Sequence, residues 1–138
     1  MPNYCFDSFF SSLLEIDLWP KAKFETDIVT PVLILRRQAA LLGEKTQQLV
    51  TAEVNTSGNS SQLVHSFRLV APALNNYKYE LFTVIHNVDE LYPLTGYSPA
   101  QPPRRMDDQS AFVGWLKEVL SSESTTKRID ALMAQAKG

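Results

Sequence analysis

His65 and His86 are the two imidazoles of this chain, and imidazole is the side chain whose charge changes between pH 5 and 8. Each sits in a stretch of alternating apolar and polar residues, "LVHSFRLVA" and "YELFTVIH", the period expected of half-buried strands. Centring the intervening loop on Asn75-Asn76, residues that tolerate the left-handed turn conformation, sets His65 directly opposite His86 on one face. Two cross-strand imidazoles beside Asp89 or Glu90 are candidates for a shared metal or for an acid–base pair. The placement is sensitive, because a slip of one residue sends one histidine to the other face. Two histidines without a firmly placed third ligand make a poor metal site, so no metal and no cofactor is expected.

A second polar group comes from the opposite face of the same strands. Glu53, Ser66, Arg68 and Thr83 fall there, and Glu53 with Arg68 suits either substrate orientation or an ordinary diagonal salt bridge. The bland reading has precedence, since a sheet open on one side carries such residues as a rule.

Other chemistry is excluded by simple inspection. Cys5 is the single cysteine, so neither an intramolecular disulfide nor a two-cysteine zinc or redox motif can form, which fits a reducing compartment. No G-x-S-x-G elbow is present. The segment "GEKT" has Gln38 where a phosphate-binding loop needs its first glycine. The run "PAQPPR" at 99–104 has the outline of a proline-rich ligand, a short pattern that a stiff linker explains equally well.

These side chains need a scaffold, and the 138 residues suffice for one domain, 1–138, able to bury roughly two thirds of its unfolded surface. With 44% hydrophobic and 20% charged residues the composition is that of an ordinary globular protein. Thirteen basic against fifteen acidic side chains, net −2, disfavour nucleic acid, which is held by a basic excess; Arg36, Arg37, Lys45, Arg104 and Arg105 would have to converge. No stretch reaches the roughly 20 apolar residues of a membrane span. "YCFDSFFSSLLEIDLW" lacks a preceding basic residue and carries Asp7, unlike a signal peptide. The expected setting is the cytoplasm of a bacterium.

Helical spacing of Phe6, Phe9, Phe10, Leu13 and Leu14 predicts a helix over about 4–17, ended by Trp19-Pro20. Thr30-Pro31 supplies an N-cap and a proline at the first helical position, and Val32, Leu35, Ala39, Leu42 and Thr46 continue at steps of three and four. A helix over 31–45 is expected; a strand at 28–36 would place Pro31 in the middle of a ladder. From Gln47 the period becomes two, giving strands at 48–56, 63–72 and 77–86. Val50, Ala52, Val54, Phe67, Leu69, Phe82 and Val84 then share a buried face. Loop centring on Gly58-Asn59 pairs Ala52 with His65. Tyr79 and Leu81 fall on the opposite face. "ELYPLTGY" offers a fourth strand that Pro93 would confine to an edge, and about 98–106 reads as a Pro-rich linker. Asp107 or Asp108 caps a helix carrying Phe112, Trp115, Leu116, Val119 and Leu120, and after a break at "SSES" the residues Ile129, Leu132, Met133 and Ala136 form another stripe.

The fold class is therefore α+β: an antiparallel meander of three to four strands, with two N-terminal and two C-terminal helices packed on it. Absence of catalytic motifs, together with aromatic side chains suited to an interface, favours a non-enzymatic interaction, regulatory or accessory module over an enzyme. Its partner would be another protein or a second copy, as in a homo-oligomer held by a sheet edge or a C-terminal helix. The alternative is a small hydrolase or metal-dependent enzyme using His65 and His86.

Overall fold

Thr30 turns the chain into its first helix, α1 (Pro31–Lys45): its side chain accepts from the Leu33 amide at 3.3 Å, while Pro31 occupies a position that has no hydrogen bond to lose. In the computed structural model the described residues are 15–138 apart from 22, 26 and 100. The helix expected over about 4–17 thus lies almost wholly outside them; Glu15 to Asp17, which are described, are not helical.

α1 stops at Thr46, whose hydroxyl donates to the Val50 carbonyl at 2.6 Å and accepts from the Val50 amide at 3.2 Å. This clip closes a tight reversal in which Gln47 and Gln48 have φ of 51° and 66°, a region that costs a side chain with a Cβ. Val50 is delivered fully buried, and a five-stranded antiparallel sheet follows in the order β1 (Thr51–Gly58), β2 (Gln62–Ala71), β3 (Tyr77–Asn87), β4 (Leu94–Ser98) and β5 (Gln101–Met106). Two helices, α2 (Gln109–Leu120) and α3 (Glu123–Lys137), complete the α+β chain, capped by Asp108 and Ser122 respectively.

The expected face is present. Phe67, Leu69, Phe82 and Val84 are buried with Val50, and Ala52 and Val54 pack partly buried against them. Leu35 of α1, Phe112, Trp115, Leu116 and Val119 of α2, and Leu132 of α3 close the core over this face. Phe67 and Phe82 are cross-strand partners with rings stacked 5.0 Å apart, and Trp115 meets Phe82 edge-on at 5.2 Å, a geometry aromatic quadrupoles favour.

Several expectations need correction. The first loop centres later than Gly58-Asn59, because Asn59 Oδ1 accepts from the amides of Ser61 and Gln62 and makes the turn there. Thr56, not Ala52, therefore faces His65. The second loop is longer than Asn75-Asn76, since Pro72–Leu74 form a 3-10 turn before the two left-handed asparagines. His65 consequently pairs with Val84 and His86 with Leu63. Both displacements are by an even number of residues, so the faces survive where the partners do not.

A bulge adds a further change. Phe67 pairs with Phe82 but Arg68 with Glu80, leaving Leu81 as the extra residue. Leu81 accordingly turns into the core beside Phe82, and Tyr79, now opposite Leu69, packs against it too. Pro93 does not mark an edge: it precedes β4, which lies between β3 and β5. The stretch read as a Pro-rich linker contains β5, whose Pro102 and Pro103 sit on the outermost strand, where a missing donor costs least.

Candidate functional site

The two histidines meet although their backbones are not opposite. They are diagonal neighbours on one face, within the reach of long side chains, and their Nε2 atoms lie 2.9 Å apart. His65 is 3% and His86 6% exposed. His86 Nδ1 lies 2.8 Å from the Asn87 carbonyl and 2.7 Å from that of Glu90. Carbonyls only accept, so this nitrogen carries a proton, and in the neutral imidazole Nε2 is then bare. His65 Nε2–H then donates to it, and His65 Nδ1 accepts from the Thr56 hydroxyl at 2.9 Å. Every proton in the chain Thr56, His65, His86 is assigned by its end.

Burial first, then the neighbouring His86 and the Arg36 guanidinium, push the His65 pKa down to about 4. His65 is neutral at physiological pH as a result. All four ring nitrogens are engaged, so no lone pair is presented to a substrate or a metal. Of the carboxylates expected nearby, Glu90 contributes its backbone carbonyl, while its Oε1 faces Asn87 Nδ2 at 3.4 Å; Asp89 is exposed. Among the described residues no three His, Cys, Asp or Glu are placed to hold a metal ion.

On the other face, Glu53 pairs directly with Arg68, at 3.8 Å, and with Lys78, at 3.2 Å. These groups are half exposed, where such pairs contribute little. The basic residues do not converge: Arg104 is held by Glu118 and Arg105 by Asp107 at the β5 edge, whereas Arg36, Arg37 and Lys45 belong to α1, which packs at β1.

A mainly apolar groove lies where the sequence pattern did not point. It measures about 500 Å³ and runs between α1 and α2, continuing to Thr125 and Ile129 of α3. One wall is Ile34, Gln38, Leu41 and Lys45, at steps of four, three and four along α1. The other is Val113, Lys117 and Leu120, at steps of four and three along α2. Phe67, Leu69 and the bulged Leu81 lie at its base, where they are already buried in the core. Its size and mainly apolar lining are those of a binding site, and the charged side chains among its described lining, Lys45 and Lys117, are both positive. A signal was available: Leu41 lies off the stripe of Ile34, Leu35, Ala39 and Leu42 that α1 packs on the core, so its apolar surface is wider than that contact needs.

No protein-family model matches the chain, and neither curated proteins nor solved structures show a significant match to it. Among the described residues, no helix is long and apolar enough to cross a membrane.

Proposed function

We propose that this protein is a non-enzymatic interaction module that takes an amphipathic helical segment, apolar on one stripe and acidic on the other, into the groove between α1 and α2. The carrying observation is the pairing of two apolar helix stripes over an apolar base, each with a lysine, Lys45 or Lys117, at the rim. Helix-in-groove recognition uses anchors at steps of three and four, the spacing both walls present. From Ile34 to Lys45 the wall is about 16 Å long at 1.5 Å per residue, enough for several turns of a bound helix. The rim lysines select against a basic partner by charge.

The enzymatic alternative has less support, because the histidine pair is sealed and internally satisfied. Self-association through the features that suggested it also weakens. Pro93 marks no edge, and the stripe Ile129, Leu132, Met133 is used internally against the core.

The test is a fluorescence anisotropy titration with a short synthetic amphipathic helix, leucine on one stripe and glutamate elsewhere, against the same peptide with lysine for glutamate. Saturable micromolar binding of the glutamate peptide is expected, with the lysine peptide about tenfold weaker. Val113→Glu should abolish binding, and Lys45→Glu with Lys117→Glu should reverse the preference. Binding indifferent to all three substitutions would overturn the proposal.

A further inference from the structure

We propose that the chain Thr56, His65, His86 is a proton-operated switch: a first proton is stored by reversing the direction of its hydrogen bonds, and a second opens the connection 88–93 between β3 and β4. The imidazoles are sealed, with His65 3% and His86 6% exposed, but Thr56 is exposed. Protons therefore enter at the Thr56 hydroxyl, 2.9 Å from His65 Nδ1. As solvent delivers a proton to Thr56 Oγ1, the hydroxyl's own proton passes to His65 Nδ1 and the proton of His65 Nε2 passes to His86 Nε2, 2.9 Å away. The chain gains one proton and one positive charge, and every hydrogen bond in it is kept. The His86 ring carries that charge, because its Nδ1–H already points at the carbonyls of Asn87 and Glu90, acceptors that favour a cation. The Arg36 guanidinium, facing the pair from α1, opposes a cation on His65. Glu90 turns its carboxylate to Asn87 Nδ2, and Asp89 is exposed.

A second proton has no such accommodation. It puts N–H on both Nε2 atoms, two donors facing each other across 2.9 Å, with like charges in a buried site. Burial, His86 and Arg36 together hold this step down to about 4 at His65. The rings must part, and the register decides which one moves. His65 is paired on both sides, with Thr56 and Val84. His86 is paired on one side, with Leu63, and lies beyond the last pair between β3 and β4, Ile85 with Thr95. It also clips the turn that follows, where the Glu90 amide donates to the Asn87 carbonyl and the Val88 amide to that of Ser61 in the loop between β1 and β2. Displacing His86 thus frees 88–93 and its tie to that loop, while the core face built by Phe67, Phe82 and Val84 stays closed.

Nitrogen-detected imidazole NMR combined with amide hydrogen exchange, from neutral pH to below the His65 value of about 4, reads both steps in the full chain. In the first step the protonated nitrogen of His65 should change from Nε2 to Nδ1 as His86 becomes doubly protonated. In the second, protection of the Val88 and Glu90 amides, corrected for intrinsic exchange, should fall about tenfold while Thr83 and Ile85 stay protected. Thr56→Val leaves the reversed His65 Nδ1–H without an acceptor, so the first step should move down by about one pH unit, and Thr56→Ser should restore it. His65→Gln should keep Val88 and Glu90 protected across the same range; should that variant fail to fold, the tautomer change and the two Thr56 variants decide. A His65 that keeps Nε2–H through the first step would overturn the proton storage. Protection lost equally at Val88, Glu90, Thr83 and Ile85, or at none of them, would overturn the switch.

Discussion

His65 and His86 share a hydrogen bond between their Nε2 atoms, 2.9 Å long, inside the protein. The carbonyls of Asn87 and Glu90 fix the proton on His86 Nδ1, and the rest of the chain follows. Nitrogen-detected NMR at neutral pH should therefore find opposite tautomers, Nε2–H on His65 and Nδ1–H on His86. Identical tautomers would contradict the assignment.

The depressed His65 pKa makes stability depend on pH. A group that protonates near 6.5 when unfolded but about 4 when folded binds more protons in the unfolded chain between those values. Stability is full above pH 6.5 and falls as pH drops toward 4. At roughly 1.4 kcal/mol per unit the loss from this group is at most about 3.5 kcal/mol. Urea melts across that window, compared with His65→Gln, should show a shallower slope in the variant.

Thr56→Val removes the donor to His65 Nδ1 and leaves a buried acceptor unmet. The expected cost is about 1 kcal/mol, read by urea denaturation, with the His65 tautomer no longer fixed from that side.

Gly96 lies under the Trp115 indole. A Cβ there would come within 2.6 Å of the ring, and Trp115, buried and packed against Phe82, cannot move aside freely. Gly96→Ala should destabilise by about 1–3 kcal/mol and change the tryptophan fluorescence of the folded state. An unchanged melt would refute this packing.

Core and groove positions should separate cleanly. Val50→Asp and Phe82→Asp place an unpaired charge where no water reaches and should each cost several kcal/mol. Val113, 44% exposed, should tolerate Glu within about 1 kcal/mol while losing peptide binding. A melting temperature that falls as far for Val113→Glu as for Phe82→Asp would place Val113 in the core instead.

Helix α1, the caps at Thr30 and Asp108 and the buried sheet face were legible because each is set locally, by capping chemistry or by a period of two or 3.6. The loops were not. Pro72 begins a 3-10 turn and Asn59 gathers the amides beyond it, and neither effect shows in the strand pattern. Thr56 was missed as the partner of His65 for that reason. The Leu81 bulge depends on neighbouring strands, so alternation sent Leu81 and Tyr79 to the wrong side. Pro102 and Pro103 read as a linker because proline argues against strands, yet an outermost strand tolerates them. The histidine pair was found through a register wrong by two residues, an error that preserves the face.

The measurement that bears most directly on the groove is methyl NMR of the protein titrated with the glutamate peptide. Shifts should concentrate on Ile34, Leu41, Leu81, Val113 and Leu120, with Val64 and Ile85 on the open sheet face unmoved. Shifts centred on Val64 and Ile85, or none at saturating peptide, would contradict the account.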